Sequence, residues 1–514
     1  MNGARSLLDT LLASNLDTCF ANPGTSEMHF VAALDQAPGM HCVLGLHETI
    51  VTGMADGYWR IAGKPACTLL HCGPGLANGL TNLHNARRAR SGIVNIVGDQ
   101  ATYHRPHDPP LTADTDALAR TVSAWVRTST SAKEVGRDAA EAVRAARMVP
   151  GRIATLILPS DASWDEGGVP ADPLPVPDPP PVEGSTVDQA ARVLRDHGAK
   201  TLVLIGGRAA LAEPLGLAWR VAHAAGASLM AEFGVAHVSR GRGRPPVERV
   251  PYNADMAIEA LARFEHLILV NARPPVGFFA YPGKPSTHYA PGAKLHVLSR
   301  LDQDPVEALR ALAGAIKAPE AAIPDPGPRP AIVRGAPTPE GLAQTVAAVM
   351  PEDAIVSDES VSYGRNFYRQ THGAPPHDWL HLAGGAIGDG LPVATGAAIA
   401  SSRNRRVLSL QADGSAMYSL QALWTQARER LPCTTVLLNN RKYAILLGEY
   451  KGVGAKPGAN ALSMLDLGNP AIDWVKLANG MGVEAARATT LEECADLMAG
   501  SFRQAGPFLI ELII

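Results

Sequence analysis

The sequence predicts an α/β protein of three domains, each a parallel sheet flanked by helices. At 514 residues the chain exceeds what one hydrophobic core usually serves. Two proline-rich stretches divide it: GVPADPLPVPDPPPVEG from Gly168, and APEAAIPDPGPRPAIVRGAPTP from Ala318. Such segments sustain neither helix nor ladder hydrogen bonds and read as stiff, extended connectors. Between them, helical patterns alternate with short aliphatic runs, as in sheets buried on both faces. The implied domains are residues 1–167, 184–318 and 339–514, each of ordinary domain size.

Taken in order, 66–71 and 93–97 read as buried strands of the first block. In the second, 201–205 runs into Gly206-Gly207, and 266–270 and 294–298 follow. In the third, 406–411 and 434–438 are strands and 507–513 is the last. The first and third blocks echo each other. His47 to Gly75 is a small-residue helix, a basic turn at Lys64, a strand, then Gly73-Pro74-Gly75. Ala386 to Ser415 repeats that order and ends in Asp413-Gly414-Ser415. A duplicated fold is the expectation.

Composition narrows the function classes. A hydrophobic share of 46% with 18% charged residues suits a large interior and extensive subunit contact. A formal charge of -3 gives no electrostatic reason to expect nucleic acid or an anionic membrane as partner. No apolar run reaches membrane-spanning length, and Met1 to Leu12 lacks the cationic start and cleavage site of a secretory signal. The six cysteines are scattered without CxxC pairs, which favours reduced thiols in a cytoplasm over zinc or redox work.

The most informative stretch runs from Ala412-Asp413-Gly414-Ser415 to Asn439-Asn440. Asp413 stands where a strand gives way to a helix, the usual ligand position in an open parallel sheet. Gly414 permits a tight turn, and backbone N–H groups beyond it favour phosphate oxygens. A second strand ends in Asn439-Asn440. A carboxylate and an amide oxygen from neighbouring strand ends can share magnesium, which prefers few protein oxygens completed by diphosphate and water. Either dipeptide alone would be an ordinary turn; one strand–helix–strand unit apart, the pair is specific.

With these residues the sequence resembles the thiamine-diphosphate family of 2-oxo acid decarboxylases and acetolactate synthases, particularly its benzoylformate decarboxylase branch. The likeness spans almost the whole chain. It is carried by Asn22-Pro23-Gly24-Thr25, Glu48, Ala55-Asp56-Gly57-Tyr58, His71, Asp358-Glu359-Ser360, Gly384-Gly385, Leu391-Pro392 and Tyr418 to Trp424, besides ADGS…LLNN. Ala412 replaces the first glycine of the family's GDG. The resemblance implies that Asp413, the Asn440 side chain and the Lys442 main-chain carbonyl hold magnesium. It also implies that Ser415 and the segment Glu359-Ser360-Val361-Ser362 bind the diphosphate, and that Gly414 and Tyr443 face the cofactor. The first block would bind the aminopyrimidine and the third the diphosphate, from different subunits, so a homodimer would be the smallest unit with activity and a homotetramer is common among relatives.

Glu48 lies among Leu44, Leu46, Ile50, Val51 and Met54 at a helix start, where a glutamate is usually electrostatic decoration. The resemblance puts it instead at the carboxyl that activates the cofactor. Ile387 is either core or the bulky side chain beneath the bent cofactor, with the Gly385 carbonyl beside the amino group. His71, ending a strand, matches a catalytic histidine, and Thr25 the place of a substrate-contacting serine. The branch's second catalytic histidine is not found; the stretch Pro275 to Tyr281 offers Phe279 there. That tilts the expectation toward carboligation or an unusual substrate.

His104 and His107 lie in a loop that would either border the site or stand in solvent. Ile445 and Glu449, four apart on one helix face, match pocket-lining positions, with Glu449 a solvent-facing charge or a selectivity element. The resemblance thus implies decarboxylation of a small-molecule 2-oxo acid, its enamine passed to a second carbonyl or protonated to an aldehyde. Flavin is not expected, since Gly206-Gly207 lacks a full dinucleotide fingerprint. The alternatives are a catalytically silent regulatory or assembly paralogue, disfavoured by Glu48, Asp413 and Asn440, and a nucleotide-binding Rossmann protein.

Overall fold

The computed structural model describes all 514 residues apart from the side chain of Asn366. Three sheets organise it. The first comprises β1 (Thr18–Ala21), β2 (His41–Leu44), β3 (Ala66–Leu70), β4 (Ile93–Asp99), β5 (Trp125–Thr128) and β6 (Ile153–Pro159), in the order β2-β1-β3-β4-β6-β5 with every pair parallel. The second contains β7 (Thr201–Ile205), β8 (Ser228–Ala231), β10 (Glu248–Arg249), β11 (His266–Val270) and β12 (Lys294–Ser299), again all parallel. The remaining strand of this region, β9 (His237–Arg240), leaves it for the third sheet.

That third sheet adds β13 (Ala354–Glu359), β14 (His377–His381), β15 (Val407–Ala412), β16 (Cys433–Asn439), β17 (Glu484–Ala488) and β18 (Phe508–Ile513). Read from β14, its order is β14-β13-β15-β16-β18-β17, the same topology as the first sheet. In each, the chain runs from one central strand to an edge and returns on the other side. The direction therefore reverses between β1 and β3 and again between β13 and β15, and crevices open at the carboxyl ends of those pairs.

The eight aliphatic runs of the sequence are strands, with ends displaced by a residue or two. His71 is not in β3; it precedes the helix Cys72–Ala89 as its N-cap. Residues 167–183 hold no helix or strand. One strand departs from the parallel pattern. β9 pairs antiparallel with β14, and its position is fixed by Asp378, which accepts from His237 Nε2 (3.0 Å), Ser239 Oγ (3.2 Å) and Arg405 Nη2 (2.7 Å).

The first and third sheets meet through their equivalent helices, Glu48–Ala62 and Gly390–Ala400. The crossing is close enough that a Cβ on Gly57 or Gly396 would strike the facing backbone of Val393 or Met54. Beside it, Arg60 is buried between Asp56 and Asp389 and donates to the His381 carbonyl (2.7 Å). Asp56 is thus a structural ion-pair partner. Among the described residues no helix is long and apolar enough to cross a membrane, and all six cysteines are free thiols.

Candidate active site

The two halves of the Asp–Asn motif converge. β15 ends at Ala412, and Asp413 opens the short helix Asp413–Ala416. Its Oδ1 accepts from Gly414 N–H (2.8 Å) and its Oδ2 from Arg441 N–H (2.7 Å), in the loop after β16. The adjacent asparagines separate in role. Asn439 turns inward to the buried Glu511 (2.7 Å), while the Asn440 Oδ1 accepts from Lys442 N–H (3.0 Å) in the loop itself. The Lys442 side chain is exposed, and its carbonyl accepts from Ala444 N–H (3.0 Å) with a lone pair to spare. The Tyr443 ring lies on Gly414, where a Cβ would come within 2.6 Å of it.

This donor set fits a small hard cation. Burial pushes the Asp413 carboxyl up, and its hydrogen bonds come from backbone N–H groups. Among the described residues it forms no ion pair. A buried carboxylate without a cationic side chain, beside an amide and a carbonyl oxygen, suits magnesium.

The neighbouring strand supplies the rest. Glu359, at the end of β13, accepts from Gly388 N–H (2.7 Å), Asp389 N–H (3.2 Å), Gly390 N–H (2.9 Å) and Gln411 Nε2 (2.7 Å). Burial raises its carboxyl against these bonds. It therefore shapes the Gly384–Gly390 loop. Gln411 also donates to Ser415 Oγ (3.1 Å), and Ser360 Oγ donates to Asp358 (2.5 Å). Ser362 is half-buried just beyond.

Within the loop, Ile387 is half-exposed and belongs to none of the hydrophobic cores, so it is not a core residue. Asn85 grips both backbone groups of Ala386, and Asn82 the Gly388 carbonyl. The Phe278 ring covers Gly385.

The other half-site lies at the ends of β1 and β3. Glu48 is buried at the start of its helix, accepting from Asn78 Nδ2 (3.0 Å), with Gly75 against its carboxylate. A cleft of about 380 Å³ close by is lined by Thr25, Ser26, His71, Cys72, Gln100 and His104, among others. Thr25, His71 and His104 are thereby brought together. His107 is exposed, its ring 6.2 Å from that of His104, and does not line the cleft. His71 Nδ1 lies 2.9 Å from Glu27 Oε2, which also accepts from Gly24 N–H (2.8 Å).

The substrate-end positions of the third block sit against the middle region. Phe279 is exposed, edge-on to Phe278. Ile445 and Glu449 lie on the helix Ala444–Gly452. Glu449 is not a free charge: Tyr252 (3.0 Å) and Tyr281 (2.8 Å) each donate to one of its oxygens. Glu27, Gln411 and Phe278 escaped the sequence reading, and Glu359, which the resemblance put in the diphosphate-binding segment, turns instead to the backbone of the Gly384–Gly390 loop. Only Glu27 carried a local signal, its spacing of three from Gly24 matching the end of a capping box.

Two equivalent crevices, one with oxygen donors that fit a small cation and one near a buried acid and a histidine, are the arrangement of an α/β enzyme with its site at strand ends. Residues 1–119 match the thiamine pyrophosphate enzyme N-terminal TPP binding domain, and residues 362–512 the corresponding C-terminal TPP binding domain. A protein of Mycobacterium tuberculosis, provisionally named acetolactate synthase large subunit IlvX, is 49% identical over 522 residues, covering 100% of this chain and 99% of its own. The benzoylformate decarboxylase of Pseudomonas aeruginosa is 29% identical, over 98% and 97% of the two chains. The solved thiamine diphosphate-dependent 4-hydroxybenzoylformate decarboxylase of Rhodococcus jostii superposes with a TM-score of 0.86 at 26% identity, over 99% and 98%. The chain belongs to the thiamine pyrophosphate enzyme family, among its decarboxylases and acetolactate synthases.

Proposed function

We propose that the protein, with thiamine diphosphate and magnesium, decarboxylates a 2-oxo acid and joins the acyl fragment to a second carbonyl compound, or releases it as an aldehyde. The hydrogen bond from Arg441 N–H to Asp413 carries this reading, because it joins the Asp413 turn to the loop of Asn440 and Lys442. Asp413, Asn440 and the Lys442 carbonyl would hold the metal, and Ser360, Ser362, Gly414 and Ser415 the diphosphate, with Tyr443 closing over Gly414. When bound, the thiazolium supplies the electron sink that lets carbon dioxide leave.

The remaining work falls to side chains. Glu48, buried and oriented by Asn78, would share a proton with the aminopyrimidine. Ile387 would pack against the bound cofactor and the Gly385 carbonyl would accept a hydrogen bond from its amino group. His71, oriented by Glu27, moves a proton at the substrate carboxylate or product oxygen, and Thr25 donates to that carboxylate. His104 borders the same cleft. No second histidine stands at Phe279, which favours carboligation over aldehyde release. Glu48 of one subunit would serve cofactor held by Asp413 of another, in a homodimer or homotetramer.

The test is to reconstitute the purified protein with thiamine diphosphate and magnesium and screen 2-oxo acids for carbon dioxide and hydroxyketone products. Glu48→Gln is expected to lose turnover by at least about a hundredfold while retaining cofactor binding. Unchanged turnover in that variant would sink the proposal.

A further inference from the structure

Glu27, His71 and Cys72 form a cluster that the proposed reaction does not exhaust. Their ligand-capable atoms all lie within 4.8 Å of one another. Ser26 Oγ sits among them, 3.2 Å from both His71 Nδ1 and Cys72 Sγ and hydrogen-bonded to Glu27. His71 needs one orienting partner, and Glu27 supplies it; the sulfur is surplus. It is nevertheless held firmly. Cys72 is buried, is the first residue of the 18-residue helix after β3, and has a φ of 51°, a left-handed conformation that few side-chain-bearing residues adopt.

A thiolate, an imidazole and a carboxylate together are the ligand set of a borderline-soft divalent ion. The all-oxygen set at Asp413, Asn440 and Lys442 suits magnesium instead, so ligand chemistry would sort the two ions. His71 and Cys72 line an open cleft with Glu27 buried behind them, which leaves a fourth position on the cleft side for water or a substrate oxygen.

We propose that Glu27, His71 and Cys72 bind a thiophilic divalent cation of the zinc class, and that its occupancy stops turnover. On binding, the ion forms bonds to Cys72 Sγ, His71 Nδ1 and a Glu27 oxygen. The thiol proton leaves to solvent and His71 gives up its Nδ1 proton while holding one at Nε2, so binding strengthens as pH rises. Bonds of about 2.0 to 2.3 Å need the 2.9 Å His71–Glu27 contact to open by only a few tenths of an ångström. A ring metallated at Nδ1 can no longer accept a second proton. The loss of turnover rests on the role given to His71 above; the metal binding does not.

The experiment titrates the thiamine diphosphate- and magnesium-loaded protein with Co²⁺, following the thiolate-to-cobalt charge-transfer absorption, and then displaces cobalt with Zn²⁺ while turnover is measured. One equivalent per chain is expected. Cys72→Ser, with Cys72→Ala as a second variant, should remove the band and weaken zinc inhibition at least about tenfold, read as the ratio of each variant's own turnover with and without zinc. Cys42→Ser, at the exposed thiol, should change neither. Absence of the band, or its survival in both Cys72 variants, overturns the site whether or not any 2-oxo acid is consumed. A band with undiminished turnover at saturating zinc overturns the inhibition.

Discussion

Glu359 accepts four hydrogen bonds at the end of β13, three of them from the backbone of the loop that carries Ile387. Glu359→Ala would orphan those donors in a buried place, at a cost of about 3 kcal/mol or more. The expected outcome is a lower melting temperature together with weaker thiamine diphosphate binding, read by calorimetry and cofactor titration. Unaltered cofactor affinity would show that the loop holds its shape without this carboxylate. Asp413 and Asn440 were legible in the sequence because each marks a strand end and their spacing is one structural unit. Glu359 was legible as part of a binding segment but not in its role, and Glu27 was not read as a site residue. The loop that Glu359 holds and the histidine that Glu27 orients lie tens of residues away, and a glutamate in a polar motif looks the same whether it faces a ligand or a ring of backbone N–H groups. Glu449 was open between two readings until the tyrosines of a distant segment appeared beside it.

At the scale of elements, aliphatic runs with strand length and turn signals were readable one by one, and the echo between the first and third blocks corresponds to the two equal sheet orders. β9 was invisible. Its four residues, His-Val-Ser-Arg, carry no long apolar run, and the strand exists because β14 of another block offers it an edge. Asp378 fastens the pair. Burial alone would raise its carboxyl, but the hydrogen bond and charge of His237, and those of Arg405, hold it well below the usual carboxylate range. A depressed folded-state value gives stability that is present above about pH 4 and lost as pH falls toward the folded value. Asp378→Asn should therefore cost about 2 kcal/mol near neutrality. It should also flatten the acid limb of the melting temperature against pH. Parallel acid limbs in the two proteins would refute this account.

For the whole molecule, the same topology twice places one crevice beyond β1 and β3 and the other beyond β13 and β15, each with half the chemistry. If every centre combines Glu48 of one subunit with Asp413 of its neighbour, two inactive variants can rescue each other. Mixing Glu48→Gln with Asp413→Asn chains, unfolded and refolded together, should restore about a quarter of wild-type turnover, because half the dimers are mixed and each carries one intact centre. A centre built within a single chain would give none.

β9 reaches from between two strands of the second sheet to close the border of the third. Sever the polypeptide at its second proline-rich connector and β14 becomes a bare hem of unmet N–H and C=O groups, a template for sticking to any extended neighbour. The carboxyl-terminal third is consequently no detachable cassette: the middle of the chain is sewn into it, and a swap of that middle with another protein's would have to bring its own stitch.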